Sequence, residues 1–592
     1  MNDLAPYRWR RLIGPAIILF AAFVATAPQL LRGNSCGHDF DFHLVSWLDT
    51  LQNWREGIFY PHWSPSSNFG AGEPRFIFYP PVSWMLGAAF GIIFPWKGVP
   101  LAITCLFFGG TGLATRALAR KVLSEGPATL AGCTAIFSGY ALYTAYERSD
   151  FAELSGGFWI PLLLLLIFRD RDPSASVVRR AFDGSAAPLA LVVAGAWLSN
   201  APLGVMVSYL LAAVALVVAV LWRSWAPILR ASVAAALSLG LSAFFLVPAA
   251  VEQRWVDMHQ ILDDPGYLIE NSWMFARHAN PALELHDIEL IKISCIGAIM
   301  LAVAFVSVLI CWLRRRLPGA RLFWLPLALL PLLVLFLQLP MSDFVWNTLP
   351  KLRFLQFPWR WLVVLQTPMA IFFAAAVWSD RSRRRSLIVG ACTLAFLATT
   401  AIAGLTFFQN CDEEDAVWAR LNAFRAGTGF EGTEEYEPPF ADNSILSMDL
   451  PQACLTSAPD TALGQGAAGA DYDWSPDQHS CDATFPTAPN PGNAATEHLR
   501  VDAVTPRAGF LVLRLRSYPA WQVRINNQLI DHLPQRADGL IAVPVPQGAV
   551  SVTVDWSTTR DVLISRWLTA LALAFFVVLC VVERKSALPR LS

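Results

Sequence analysis

About twelve apolar segments of membrane-spanning length divide this chain, and the basic residues between them fall in alternate loops. The segments lie at about 12–31, 100–118, 127–145, 153–168, 186–199, 202–222, 231–250, 291–313, 322–340, 360–379, 386–407 and 562–582. Arg8, Arg10 and Arg11 precede the first. Arg116, Arg120 and Lys121 follow the second, and Arg169, Arg171, Arg179 and Arg180 follow the fourth. Arg223, Arg230, Arg314, Arg315, Arg316, Arg381, Arg383, Arg384, Arg385, Arg584 and Lys585 complete the set. Placing every cluster in the cytoplasm lets the spans alternate without conflict, with both termini cytoplasmic. The composition agrees. Of 592 residues, 55% are hydrophobic and 15% charged, against about 25% charged in soluble domains. The basic start and the long first apolar run read as an uncleaved first span. A net charge of -1 gives no footprint for nucleic acid.

The stretch 80–96, "PPVSWMLGAAFGIIFPW", is apolar but short, and counting it would invert the Arg116–Lys121 cluster. It is expected to be a re-entrant or interfacial helix. The opposite, extracytoplasmic side then holds loops 32–99, 146–153, 251–290 and 341–360, plus a block at 408–560. The chain therefore divides into a transmembrane domain over 1–407, an outer domain over 408–560, and a last span with its tail over 561–592. In the outer domain, 412–500 reads as loops and short elements. Residues 500–556 alternate apolar and polar and predict a small antiparallel β-sandwich, with Asn526-Asn527 at a turn and two strands about Pro546-Gln547-Gly548. Cys36, Cys411, Cys454 and Cys481 fall outside. One disulfide is expected among the last three, its pairing left open.

The chemistry-bearing residues concentrate on that outer side. "HDFDFH" places Asp39 and Asp41 between His38 and His43, just after the first span. On an extended segment, carboxylates at i and i+2 point the same way. They could bind a divalent cation, Mg or Mn, as hard oxygen ligands, or one could act as general base. His38 and His43 are candidate helpers in substrate binding. "YERSDFAE" offers Glu147, Asp150 and Glu153, either a solvated loop or further carboxylates folded beside the first set. Arg353 and Arg360 sit at an outer span edge, where arginines oppose the orientation bias. They either reach toward lipid headgroups or clamp a phosphate. Glu73 and Arg75 in "NFGAGEPRFIFYPP" are candidates to line a groove, and Glu434, Glu435, Tyr436 and Glu437 to reach back toward the active face. The chain has no P-loop, Rossmann fingerprint, nucleophile elbow or H-E-x-x-H, so no nucleotide cofactor is expected. A lipid-linked donor carries its own activation. It needs a surface carboxylate, a cation for the departing phosphate and an apolar groove.

The set "HDFDFH", "FGAGEPRFIFYPPVSW", "LPKLRFLQFPWRWL" and "EYEPP" resembles the bacterial membrane proteins called 6-pyruvoyl-tetrahydropterin-synthase-related. These are similar to the GT-C glycosyltransferase superfamily and to YfhO-like proteins. The resemblance spans about 30–560. It implies a polytopic GT-C architecture in the bacterial inner membrane, and a polyprenyl-phosphate-linked sugar donor. An envelope glycan, lipid or protein would be the acceptor. It matches Asp39 or Asp41 to the acidic catalytic motif, Glu147 or Asp150 to a second acidic loop, and Arg353 and Arg360 to an outer arginine motif. The pterin name implies no activity here. That soluble enzyme binds zinc through histidines, and no comparable histidine set is present. The expected function is an inverting membrane glycosyltransferase. The alternative is a non-catalytic GT-C-derived envelope protein, a scaffold or an export-related protein; few ionisable residues fall mid-bilayer, which counts against transport.

Overall fold

A computed structural model describes residues 5–169, 174–258, 263–446, 450–461, 463, 481–487 and 496–587. Arg171 and the side chains of Arg8, Arg10, Arg11 and Lys585 lie outside them. Among the described residues, six helices are long and apolar enough to cross a membrane: Trp96–Ala119, Ala201–Trp222, Pro281–Leu313, Pro358–Val377, Ser382–Thr406 and Arg560–Arg584. Two bent pairs raise the count to eight, Ala226–Leu241 with Ala243–Trp255 (71°) and Arg321–Leu337 with Pro340–Thr348 (98°). The other four expected segments are shorter or broken. Leu12–Ala25, Phe151–Ile167 and Ala186–Ser199 are short apolar helices, and 127–145 divides into Glu125–Ile136, Gly139–Tyr143 and a π-helical turn Thr144–Arg148. Pro161 and Pro248 each remove a ladder hydrogen bond inside a helix, and the 71° bend falls at Ser242. The segment expected to be re-entrant is the 13-residue helix Pro81–Ile93.

The loops expected on one side meet one another, and so do the basic clusters. At one end Arg116 pairs with Glu125, Arg230 donates to the carbonyl of Arg169, and Arg314 and Arg316 donate to the carbonyls of Ala376 and Trp378. At the other end Arg148 reaches Asp39, Thr433 reaches Glu73, Arg353 reaches Glu270 and Tyr518 donates to Glu252.

The first outer loop is not extended where the two aspartates lie. Phe40–Arg55 is a helix that buries Phe40, Leu44, Trp47, Leu48 and Leu51, an i, i+4, i+7, i+8, i+11 stripe. It packs on Pro81–Ile93 so closely that a Cβ on Gly87 would lie 2.2 Å from the Trp47 ring.

The outer domain holds two four-stranded antiparallel sheets. With β1 Ala453–Thr456, β2 Ala483–Phe485, β3 His498–Thr505, β4 Gly509–Arg516, β5 Trp521–Ile525, β6 Gln528–Leu529, β7 Leu540–Val545 and β8 Gly548–Trp556, the orders are β2-β1-β4-β7 and β3-β8-β5-β6. Asn526 (φ 49) and Asn527 (φ 68) turn β5 into β6, as Asn at a two-residue turn suggests. The turn at Pro546-Gln547 carries the chain from one sheet to the other, since β7 pairs with β4 and β8 with β3 and β5. Two short strands, β1 and β2, fall in the region expected to hold loops and short elements. β1 is four residues and wholly buried, too short for alternation to show. Leu511, Leu513, Val543, Val523, Val552 and Val554 fill the sandwich, and Trp63 from the first outer loop joins them.

Candidate functional site at the junction of two outer loops

Residues 35–39 and 146–149 are zipped together by serine hydroxyls and one backbone hydrogen bond. Ser35 Oγ donates to the Tyr146 carbonyl at 2.6 Å, Ser149 Oγ donates to the Ser35 carbonyl at 2.8 Å, and the Asp39 amide donates to the Arg148 carbonyl at 2.8 Å. Gly37 is required here, because a Cβ would lie 2.2 Å from the Glu147 carbonyl oxygen. Ser149 (φ 54) turns the second strand of this zipper away. The zipper sits where two apolar cores meet, one around Phe40, Trp47 and Tyr146, the other around Tyr140, Trp359 and Trp361.

Arg148 is the hub. Its Nη2 lies 3.0 Å from Asp39 Oδ2 and 3.3 Å from Asp150 Oδ2, and its Nη1 lies 2.6 Å from Glu153 Oε2. Tyr140 donates to the other oxygen of Glu153, and Arg360 Nε is 3.5 Å from Oε2. His43 bridges Ser83 Oγ (3.2 Å to Nδ1) and Asp150 (3.6 Å from Nε2). Burial by itself would raise the Asp150 carboxyl. The neighbouring His43 imidazole and the Arg148 charge outweigh it and hold the group below its ordinary range. Beside the hub, Lys292 donates to Glu147 Oε1 at 2.8 Å, and His38 Nε2 lies 2.9 Å from Glu289 Oε1. That bond to Glu289 raises the His38 imidazole, favouring its cation.

Exposure divides this cluster. Side chains of Asp150, Glu153 and Glu147 are 6%, 1% and 2% exposed, whereas Asp39 is 35%, His38 49% and Lys292 37%. Asp39, His38, Glu289 and Lys292 are the members of the cluster open to solvent. The rest hold Asp39 in place from behind.

Other expected site residues go elsewhere. Asp39 and Asp41 flank a helix start rather than an extended segment, so they diverge. Asp41 takes Arg420, which also binds Asp415. Burial raises the Asp41 carboxyl to about 6 against the pull of Arg420. The two carboxylates are therefore not a joint ligand set for Mg or Mn, and among the described residues no three His, Cys, Asp or Glu gather in metal-ligand geometry. Glu73 and Arg75 line no groove. They are 0% and 2% exposed and pair at 2.6 Å, with Glu73 accepting from the Thr433 amide and Arg75 lying 4.3 Å over the Phe42 ring. Arg360 joins the hub, but Arg353 pairs with Glu270 at the surface. Glu434, Glu435, Tyr436 and Glu437 do come back to the membrane domain. Tyr436 stacks on Phe78, and the Glu437 carbonyl accepts from the Asp257 amide. Burial, reinforced by Glu73, lifts Glu435 to about 7.

Four contributors escaped the sequence reading: Arg148, Glu289, Lys292 and Arg420. A signal existed for the first three. Arg148 sits between acids in "YERSD", and Glu289 and Lys292 stand three apart on one helical face at the opening of a span. Among the described residues there are two disulfides: Cys454–Cys481, within the three cysteines expected to hold one, and Cys36–Cys411, which ties the first outer loop to the residues after Ser382–Thr406.

Comparison with solved structures finds similarity to the mycobacterial arabinofuranosyltransferase AftD, at 18% identity and a TM-score of 0.41, over 69% of this chain and 28% of that one. The apo oligosaccharyltransferase of Archaeoglobus fulgidus matches at 12% identity and 0.40, over 73% and 62%. The same organism's oligosaccharyltransferase AglB, in complex with an inhibitory peptide and a dolichol-phosphate, matches at 13% and 0.36, over 73% and 62%. The chain thus spans less than two thirds of each. No curated protein matches. The profile of the 6-pyruvoyl-tetrahydropterin synthase related domain, described as a membrane protein, matches residues 76–408. That is more than half of the 592 residues, and it covers the second acidic loop and both outer arginines: the chain belongs to the 6-pyruvoyl-tetrahydropterin synthase related family of membrane proteins.

Proposed function

We propose that this protein is a membrane glycosyltransferase that moves a sugar from a polyprenyl-phosphate-linked donor to an envelope acceptor on the extracytoplasmic face. One observation carries the reading. Asp39 is a partly exposed carboxylate fixed by a buried arginine, and cationic groups stand in the same mouth. Asp39 accepts the proton of the acceptor hydroxyl as that oxygen attacks the anomeric carbon, and the bond to the lipid phosphate breaks. Arg148 keeps the carboxylate aimed. Lys292 and His38 stabilise the phosphate as it leaves. Attack opposite to departure inverts the anomeric centre. No step is assigned to a divalent cation. Both termini lie in the cytoplasm, and 408–560 faces outward from the bacterial inner membrane.

A non-catalytic envelope role is the second reading, favoured by one observation: Asp39, Glu147 and Glu153 are each paired within the chain. Asp39→Asn in the native host separates the two. Mass spectrometry of envelope glycans and lipid-linked sugars should show one glycan lost and one lipid-linked sugar accumulating, with membrane levels of the protein unchanged. An unaltered profile, where full deletion does alter it, would favour the non-catalytic role.

A further inference from the structure

The loop that delivers Arg360 to the hub is strained. Lys351 (φ 61) and Gln356 (φ 63, ψ -43) both hold positive φ without being glycine. At Gln356 the amide of Phe357 donates to the carbonyl of Leu355 at 2.6 Å, closing a three-residue turn. Turns of this hand are rare and costly, and they persist where surrounding structure imposes them, often at working sites.

The turn presents a group of rings. Phe357 and Trp359 stack with centroids 4.1 Å apart and planes 10° apart. His286 lies 6.0 Å from Trp359, and Tyr267 meets Phe357 edge-on at 6.0 Å. Core packing alone would bury them all, yet Tyr267 is 43% exposed. Trp359 is 6% exposed, and among the described residues its indole N–H has no hydrogen-bond partner. The group adjoins the mouth. Burial, with the charges of Glu435, Asp264, Asp39 and Glu434, raises the Tyr267 phenol. Arg360, 5.5 Å over Phe357, ties the rings to Glu153.

We propose that Tyr267, Phe357 and Trp359 form a subsite for a sugar ring beside Asp39. The inference rests on the transferase reading and names which part of the substrate lies where. An aromatic face is electron-rich and attracts the polarised C–H bonds on one face of a saccharide. The hydroxyls around the ring edge find acceptors in the nearby carboxylates. The same carboxylates repel a phosphate, so the lipid phosphate belongs at Lys292 and His38, and the neutral sugar at the rings. Donor sugar and acceptor sugar share this chemistry.

The test uses the full chain in lipid nanodiscs and saturation-transfer difference NMR with methyl hexopyranosides and methyl pentofuranosides as probes. Saturation is expected on the ring C–H protons of at least one probe. Tyr267→Ala and Phe357→Ala should each weaken it about fivefold, while Phe357→Trp, which keeps an aromatic face, should restore it. Binding unchanged in both alanine variants, or no probe bound by the unmodified chain, overturns the subsite. The transferase reading fails differently: the probe binds and depends on the rings, but no sugar is transferred. Where transfer is measured, a Phe357→Ala rise in KM for the lipid-linked substrate identifies the donor sugar as occupant. A rise for the acceptor identifies the other.

Discussion

Two buried arginine networks lie within the outer assembly, and they differ in one respect. Arg75 with Glu73, and Arg148 with Asp39, Asp150 and Glu153, both draw segments remote in sequence into one set of ion pairs. The Glu73–Arg75 pair is shut from water and joins the first outer loop to residues 430–437. The Arg148 network leaves one carboxylate, Asp39, open to the outside. Burial and charge pairing are thus common to a fastener and to a site. Access to solvent is what separates them, and it places Asp39 rather than Glu73 where a substrate can arrive.

The sharpest way to break this contrast is Arg148→Met. It leaves Asp150 and Glu153 facing each other behind Asp39, and an uncompensated buried charge costs about 3–5 kcal/mol. The variant should show a large fall in thermal stability and in membrane level. A variant as stable as the parent would mean that water, not Arg148, compensates the cluster. Next comes the double change Glu73→Leu with Arg75→Met. Well-packed apolar replacements of a buried pair are often neutral or better by about 1–4 kcal/mol, so this protein should fold and stay active. Loss of activity at normal stability would show that the pair does more than fasten. The smallest effect is on pH. Asp41 is raised to about 6 by burial, and Glu435 and Glu437 to about 7, likewise by burial first. Groups raised in the folded state bind protons there more readily than in the unfolded chain. Stability therefore falls as pH climbs from about 4 to about 7, and the loss is complete above that range. Melting temperatures across this range should decline, and Asp41→Asn should flatten the part of the decline between about 4 and 6. A melting temperature that rose over the window would contradict the burial of all three.

Much of this was legible in the sequence where a pattern is long or chemically rigid. Six of the apolar segments form full-length helices, and the Asn526-Asn527 turn and strands β3 to β8 fall where alternation and turn residues predict. Short or interrupted patterns were not. The helix Phe40–Arg55 carries an apolar stripe, but its polar start resembles a loop, and so the two aspartates were assigned a common direction that a helix start denies them. Hydropathy windows pass over Ser242, where a bend of 71° divides Ala226–Leu241 from Ala243–Trp255. The partners of Asp39 and Asp41, Arg148 and Arg420, are 109 and 379 residues distant. Nothing local in the sequence encodes such pairings; they follow from how the spans pack.

The Cys36–Cys411 disulfide has a further consequence. Its cysteines are 375 residues apart, one just after the first helix and the other just after Ser382–Thr406. The covalent ring it closes contains every described span except the first and the last. A protease that nicks any loop inside that ring releases nothing: the two pieces stay joined until a reductant opens the bond. The first outer loop and the outer domain are thus tethered at one covalent point, and damage to the membrane-embedded chain need not separate them.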